Sequence, residues 1–369
     1  MLQQLLKPLE IKGRHVGARV AGWLLRRPST TALAPSRLDR ARRVLLVRVD
    51  NRVGEALLTT PLLDALRQQR PDLEVDLLVH QKCVRLLEGH PSGVRVMGLD
   101  RSRLWAGPLA PGVRVLHPRP YDAVVDCSNW TEPSVTAALV SRFVGREAVV
   151  IGPGTGATRG LRDVAVDPLS GVRSEVAQRL HLLSPLLGPQ PLRPLSFRPP
   201  TPSAGVLAWA RQFRGPRAVV NPGGRLGYRR VPPELFAVAV QGLAEMGLSP
   251  VLTWGPGEEA LASEVIAHAP MAFRAPPTSL DDLAWLMATS VLSVCNNTGP
   301  MHLSVAVGTP TLGLFLHMDL ERWGHLHAPH RMVDLTSALP LGEAPQRLRA
   351  ELGTWATPLL ANPAPSSLA

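Results

Sequence analysis

Hydrophobic residues in this chain come in short solid runs, each bounded by charge or a turn, rather than in strict alternation. Residues 44–49 are apolar apart from Arg48, which predicts a strand buried on both faces of a parallel sheet. A turn at Gly54 follows, then a helical period over 56–70 that stops at Pro71. Runs at 74–79, 94–99, 123–127 and 148–151 predict four more strands, with a helix over 135–143 before the last of them. Strand–helix alternation of this kind predicts an open, mostly parallel sheet.

Residues 188–202 are dense in proline, which neither donates to a ladder nor continues a helix, so 188–204 reads as a linker. The alternation then restarts. Strands are predicted at 218–221, 250–254, 291–295 and 311–316, and helices at 233–246, 258–267, 280–289, 300–307 and 346–360. The organisation expected is an arm over 1–43, a first α/β domain over 44–187, the linker, a second α/β domain over 205–340, and a helix and frayed tail over 341–369. Two such domains put a cleft between the carboxyl ends of their sheets, outside which ligands of these sheets bind.

With 369 residues and 45% apolar content the chain can bury two cores of ordinary size. Aromatics are only 4%, so Leu, Val and Ala carry the packing. No apolar run reaches the length of a membrane span, and the first 30 residues lack the apolar stretch of a secretory signal. Cys83, Cys127 and Cys295 lie far apart, which excludes a disulfide framework and a cysteine zinc site and fits a reducing compartment, the cytoplasm.

The net charge of +11 is unevenly placed: residues 1–43 carry +8 of it. That concentration argues against nucleic acid as the partner of the globular body. Within 8–27, Leu9, Val16, Val20, Trp23 and Leu24 share one helical face, with basic residues opposite and at its flanks. Two readings stand side by side: contact with an anionic membrane surface, which makes the protein peripheral on the inner face of the cytoplasmic membrane, or a helix packed on the first domain.

The candidate chemistry sits just after predicted strands. Arg48-Val49-Asp50-Asn51-Arg52-Val53-Gly54-Glu55 runs into a helix; Glu55 either faces the cleft or complements the helix dipole. Asn221-Pro222-Gly223-Gly224 offers backbone N–H groups to an anion, and Arg229 or Arg230 is placed to neutralise a phosphate; the plain alternative is a glycine turn with surface arginines. Thr253-Trp254-Gly255-Pro256-Gly257-Glu258-Glu259 supplies an acid for ribose hydroxyls, or simply a helix-starting acid pair. Asn296-Asn297-Thr298-Gly299-Pro300-Met301-His302 opens a helix whose N-terminus is suited to phosphate, with Thr298 as its cap; His302 is a ligand residue or a packed structural histidine. Gly152-Pro153-Gly154-Thr155-Gly156 lacks the spacing and the following helix of a dinucleotide loop. The histidines have no metal spacing, and no cofactor is expected.

Taken in order, Gly54-Glu55, Thr60-Pro61, Asn221–Gly224, Arg230-Val231-Pro232, Gly255–Glu258, Asn297–Leu303 and Gly308-Thr309-Pro310 resemble glycosyltransferase family nine, the heptosyltransferases of lipopolysaccharide core assembly. The resemblance runs from about Val44 to Trp323. It implies an α/β GT-B fold, two Rossmann-like domains facing across a cleft. It implies inverting, metal-independent transfer from a nucleotide sugar, typically ADP-heptose, to a saccharolipid acceptor. By position, Glu55 matches the catalytic acid acting as general base, with Gly54 before it, and Arg229 the cation at the donor diphosphate. Gly223 and Gly224 match the phosphate-facing turn, Glu258 or Glu259 the ribose acid, and Asn297, Thr298, Gly299 and His302 the donor-binding helix start. The chain departs from the pattern in three places: Glu55 replaces aspartate after a loop one residue longer, Asn297 replaces aspartate, and Val231 replaces tryptophan. These departures keep a second reading open, a GT-B protein that binds a nucleotide sugar or saccharolipid without efficient transfer, and more remotely a nucleotide-sugar epimerase.

Overall fold

The computed structural model describes residues 36–100, 120–338 and 342–361. The amphipathic stretch 8–27 and the tail after 361 lie outside the described residues. The chain divides between Arg193 and Pro194 into two compact units, inside the proline-dense stretch; residues 190–203 carry no helix or strand.

The first unit is built on β1 (Arg43–Arg48), β2 (Glu74–His80), β3 (Arg95–Leu99), β4 (Ala123–Asp126), β5 (Val149–Pro153) and β6 (Val164–Val166), in the order β3-β2-β1-β4-β5-β6. All pairings are parallel, with β1 between β2 and β4. Val44 to Val47 are fully buried, as the solid apolar run predicts for a central strand covered on both faces.

The second unit repeats the plan with β7 (Arg217–Asn221), β8 (Ser249–Leu252), β9 (Phe273–Arg274), β10 (Leu292–Asn296), β11 (Thr311–Phe315) and β12 (Arg331–Asp334), ordered β12-β11-β10-β7-β8-β9. In both sheets the strand order reverses beside the unit's first strand. The crevices that bind ligands in such sheets therefore open at the carboxyl ends of β1/β4 and of β7/β10.

Three features differ from the sequence expectation. The helix expected over 56–70 is two helices, Val53–Leu57 and Thr60–Gln69. Pro61 has no N–H to give the preceding turn, and Thr59 and Thr60 use their hydroxyls instead, donating to the carbonyls of Glu55 (3.1 Å) and Leu57 (2.8 Å). Strands β6, β9 and β12 and the helix Glu175–His181 have no counterpart in the predicted elements; the strands are short and lie towards the sheet edges. The last helix, Ala344–Ala361, belongs to the second domain rather than to a tail. It buries Ala344, Leu348, Leu352 and Ala356, one residue every four, in that domain's core, and Leu352 packs close to Gly242 of the helix Pro233–Glu245.

Candidate functional site

At the carboxyl end of β1 the sequence-predicted Glu55 is buried, as is Gly54 before it. Its carboxylate meets three guanidinium groups. Arg48 Nη2 lies 2.5 Å from Oε2, Arg179 donates to the same oxygen, and Arg52 Nη2 lies 3.2 Å from Oε1. Arg179 also donates to the Glu55 carbonyl at 2.8 Å and pairs with Glu175 at 3.0 Å one helical turn back. Burial alone pushes the Glu55 pKa up, but Arg179, Arg48 and Arg52 outweigh it and hold the carboxyl well below the usual range. Asp50 is the more accessible carboxylate of the same turn, paired with Arg48 and Arg52 at 2.9 Å each. Burial raises its pKa, and the two arginines more than reverse that.

Arg179 is the residue the sequence reading missed. Its signal is local: Ser174 caps the helix Glu175–His181 through the Ala177 N–H, and Glu175 and Arg179 stand four apart on it.

The second domain gathers most of the remaining predicted residues at the ends of β7, β8 and β10. Gly223 and Gly224 are buried, and the Gly224 N–H donates to Glu258 Oε1 at 2.7 Å. The other oxygen of Glu258 accepts from the Gly255 N–H at 3.0 Å. The anion that the glycine turn faces is the protein's own Glu258 carboxylate. A Cβ on Gly223 would overlap Glu258 Oε2, which explains the glycine there. Glu259 points elsewhere: its exposed carboxylate lies 3.5 Å from Arg274. Of the two acids that match the ribose position, only Glu258 reaches the crevice turns.

The arginines divide in the same way. Arg230 donates through Nε to the Gly224 carbonyl, and its Nη2 lies 3.6 Å from Glu258 Oε1. Arg229 is exposed and stacks at 5.2 Å over Tyr228, itself 62% exposed.

Asn296, at the end of β10, bridges the β7/β10 crevice. It is fully buried, donates to the Pro222 carbonyl (2.6 Å) and the Gly223 carbonyl (3.3 Å), and accepts from the Val231 N–H (3.1 Å). Its neighbour Asn297, the residue that matches the family's motif, donates its backbone N–H to the Leu314 carbonyl at 3.0 Å. Asn221 lies beneath the turn, tied through Nδ2 to Thr253 Oγ1 at 3.1 Å, and its buried Oδ1 has no hydrogen-bond partner among the described residues.

Thr298 occupies the N-cap position of the helix Gly299–Ala306, but its side chain makes no capping bond; the hydroxyl donates to the Asn296 carbonyl at 3.3 Å. The N-terminal amides thus lack a side-chain cap, the condition under which a helix start receives an anion. His302 is buried one turn in, its Nδ1 2.9 Å from Nε2 of buried His325, so its side chain is packed inside the domain.

Among the described residues, no group of three or more His, Cys, Asp or Glu is arranged to hold a metal ion, and no helix is long and apolar enough to cross a membrane. A cavity of about 630 Å³ opens at the amino-terminal ends of β1, β2 and β3, lined by Arg43, Asp76 and Arg95 among others. It is at the opposite end of the first sheet from Glu55, so the strand-end chemistry above takes precedence.

Comparison with known proteins places these residues in context. The family described as Glycosyltransferase family 9 (heptosyltransferase) matches residues 189–347. Lipopolysaccharide heptosyltransferase 3 of Escherichia coli is 25% identical over 289 residues, 73% of this chain and 82% of that protein. Among solved structures, E. coli heptosyltransferase WaaC with ADP aligns with a TM-score of 0.66 at 20% identity, covering 84% of this chain and 99% of that one. E. coli ADP-heptose lps heptosyltransferase II aligns with a TM-score of 0.66 at 21% identity, covering 87% and 100%. At such identities the structural likeness establishes the fold, two Rossmann-like domains of the GT-B type.

Proposed function

We propose that the chain is a glycosyltransferase of family 9, the family whose model matches residues 189–347, and that it moves a heptosyl group from ADP-heptose to a lipopolysaccharide-type saccharolipid. The observation that carries the reading is the set of turns at the ends of β7, β8 and β10. There an anion-facing glycine pair, an acid and a helix start without a side-chain cap converge in one domain. A nucleoside diphosphate sugar needs those three elements: N–H donors for the diphosphate, an acceptor for ribose hydroxyls, and a positive helix end for the charge that grows on leaving. The two solved relatives are described with ADP or as using ADP-heptose, which supports adenine as the base.

The reaction in this reading is a single displacement with inversion, and it uses no metal. An acceptor hydroxyl attacks the anomeric carbon, the bond to the diphosphate breaks, and a carboxylate takes the hydroxyl proton. A cation, Arg229 by family position, and the amides of the Thr298–His302 segment offset the charge on the diphosphate. Family position gives the proton to Glu55. In the free protein that carboxylate is locked by three arginines, so the role requires Arg52, 45% exposed, to turn away; Asp50 is the alternative in the same turn.

The arginine cage also favours the second reading, a protein that binds a nucleotide sugar with little transfer, because a strongly paired carboxylate is a weak base. One experiment separates the two. Purified protein, EDTA and radiolabelled ADP-heptose are incubated with a saccharolipid acceptor in detergent. Label in the lipid supports the enzyme; binding of ADP-heptose with no label transferred supports the binder. Cytoplasmic residence at the inner membrane face, through the basic arm, belongs to the same proposal and is tested by vesicle binding.

A further inference from the structure

We propose that the phosphate subsite of the second domain is filled by the protein's own Glu258 carboxylate before donor arrives, and that Arg230, rather than Arg229, is the cation passed from that carboxylate to the diphosphate. The inference rests on the nucleotide-sugar reading above and adds to it which residues make the exchange.

A carboxylate oxygen and a phosphate oxygen ask for the same partners, backbone N–H groups and a guanidinium. Glu258 has both. Oε1 accepts from the Gly224 N–H at 2.7 Å and lies 3.6 Å from Arg230 Nη2, while Oε2 accepts from the Gly255 N–H at 3.0 Å. Glycine at 223 and 255 leaves room for this anion, since a Cβ at either position would crowd Oε2. The turn itself is pinned. Asn296 holds the carbonyls of Pro222 and Gly223, and a Cβ on Gly224 would come within 3.0 Å of the Thr298 methyl. A phosphate therefore enters by displacing a side chain, not by moving the turn.

The side chains are free enough to exchange. Glu258 is 17% and Arg230 32% exposed, and their 3.6 Å separation makes the pair a loose one, cheap to break near solvent. Arg230 is already anchored to the Gly224 carbonyl, at the rim of the turn, whereas Arg229 is exposed against Tyr228. In the exchange a diphosphate oxygen takes the Gly224 N–H and the Arg230 guanidinium. Glu258 keeps the Gly255 N–H and turns its remaining lone pairs to the ribose hydroxyls; a carboxylate accepts about four hydrogen bonds in all. No covalent bond changes.

Isothermal titration of the full chain with inorganic pyrophosphate, ADP and adenosine tests this. R230A is expected to weaken pyrophosphate and ADP roughly 10- to 100-fold, the scale of a charge-assisted hydrogen bond, and to leave adenosine within about twofold. E258A is expected to tighten pyrophosphate roughly 2- to 10-fold, because a competing anion is gone, and to weaken adenosine. E258Q, which keeps the shape and one acceptor, is expected to shift both ligands in the same directions and guards against a folding defect in E258A. Parental pyrophosphate affinity in R230A, or weakening of both ligands in the Glu258 variants, overturns the inference while leaving the donor reading intact. A parent chain that binds no ADP at all sinks the donor reading and this inference with it.

Discussion

Arg48 Nη2 sits 2.5 Å from Glu55 Oε2 with both side chains buried, and Nη1 of the same guanidinium reaches the Cys127 carbonyl at 2.8 Å, across the β1/β4 crevice. One residue thus ties the end of β1 to the end of β4 and to the carboxylate between them. Glu55 in turn is the counter-ion shared by Arg48 and Arg179. Removing one member of a buried charge set leaves the others uncompensated, at a cost of about 3–5 kcal/mol.

Glu55→Gln is therefore expected to lower the melting temperature markedly as well as the rate. If Glu55 is the base, transfer measured well below the melting point falls about 10²- to 10⁴-fold. Asp50→Asn touches a less buried group and is expected to melt closer to the parent. Single-turnover transfer by the two variants decides the assignment: a rate loss confined to Asp50→Asn moves the proton to Asp50, and a loss confined to Glu55→Gln keeps it where the family has it.

Asn296 gives a second expectation. Asn296→Ala strands the Val231 N–H and the Pro222 and Gly223 carbonyls in a buried crevice, at about 1–3 kcal/mol for each unsatisfied group. Asn296→Asp is expected to be worse than alanine, because a carboxylate set against two carbonyl oxygens replaces donors with negative charge. Thermal melts order the three proteins parent, alanine, aspartate. An aspartate variant as stable as the parent contradicts donation from the Asn296 amide to the Pro222 and Gly223 carbonyls.

Much of the fold is legible in the sequence because burial on both faces writes itself as solid apolar runs; the predicted β1, β7, β10 and β11 fall within a residue or two of their observed ends. The strands that escape, β6, β9 and β12, are short and lie towards the sheet edges, where too few residues are buried to leave a pattern. The site is legible as positions, not as partners. Glycine after a strand announces the Gly223–Gly224 turn, but no local signal distinguishes Arg230 from Arg229 or Glu258 from Glu259; side-chain direction is settled by packing. Arg179 escapes because its partner Glu55 is 124 residues away.

Acid sensitivity follows from the histidines packed with His302 of the helix Gly299–Ala306. Burial, then His327, pushes the His330 pKa down to about 4 from an ordinary 6.5. Burial, with His302, His330 and His327 around it, holds His325 well below its usual value. Well above pH 6.5 these groups are neutral whether the chain is folded or not. As pH falls from 6.5 towards 4 the unfolded chain takes up protons that the folded chain refuses, so stability declines through that window. His330 contributes on the order of 2 kcal/mol of this after allowance for solvent screening. The melting temperature, followed from pH 7 to pH 4, is expected to drop less steeply for His330→Asn than for the parent; equal slopes remove His330 from the effect.

The basic arm can be cut at a place the structure defines. Leu38 and Ala41 are buried, and Arg37 donates to the Glu147 carbonyl, so the first domain begins its packing before β1. A chain beginning at Ser36 keeps these contacts and is expected to melt with the full protein. One beginning at Arg42 loses the Leu38 side chain from the core, worth about 1.5–3 kcal/mol, and is expected to melt lower. Residues 1–35 carry six basic side chains and one acidic one. Each basic group near an anionic leaflet contributes about 1 kcal/mol, decaying within a Debye length. The full chain is thus expected to bind vesicles containing anionic lipid at low salt and to release at high salt, and both shortened chains to stay in solution. Transfer to a detergent-solubilised acceptor should survive the Ser36 cut, since none of the strand-end residues is lost. If that chain aggregates or melts early instead, the arm's apolar face is packed on the first domain, and the membrane reading fails on the same experiment.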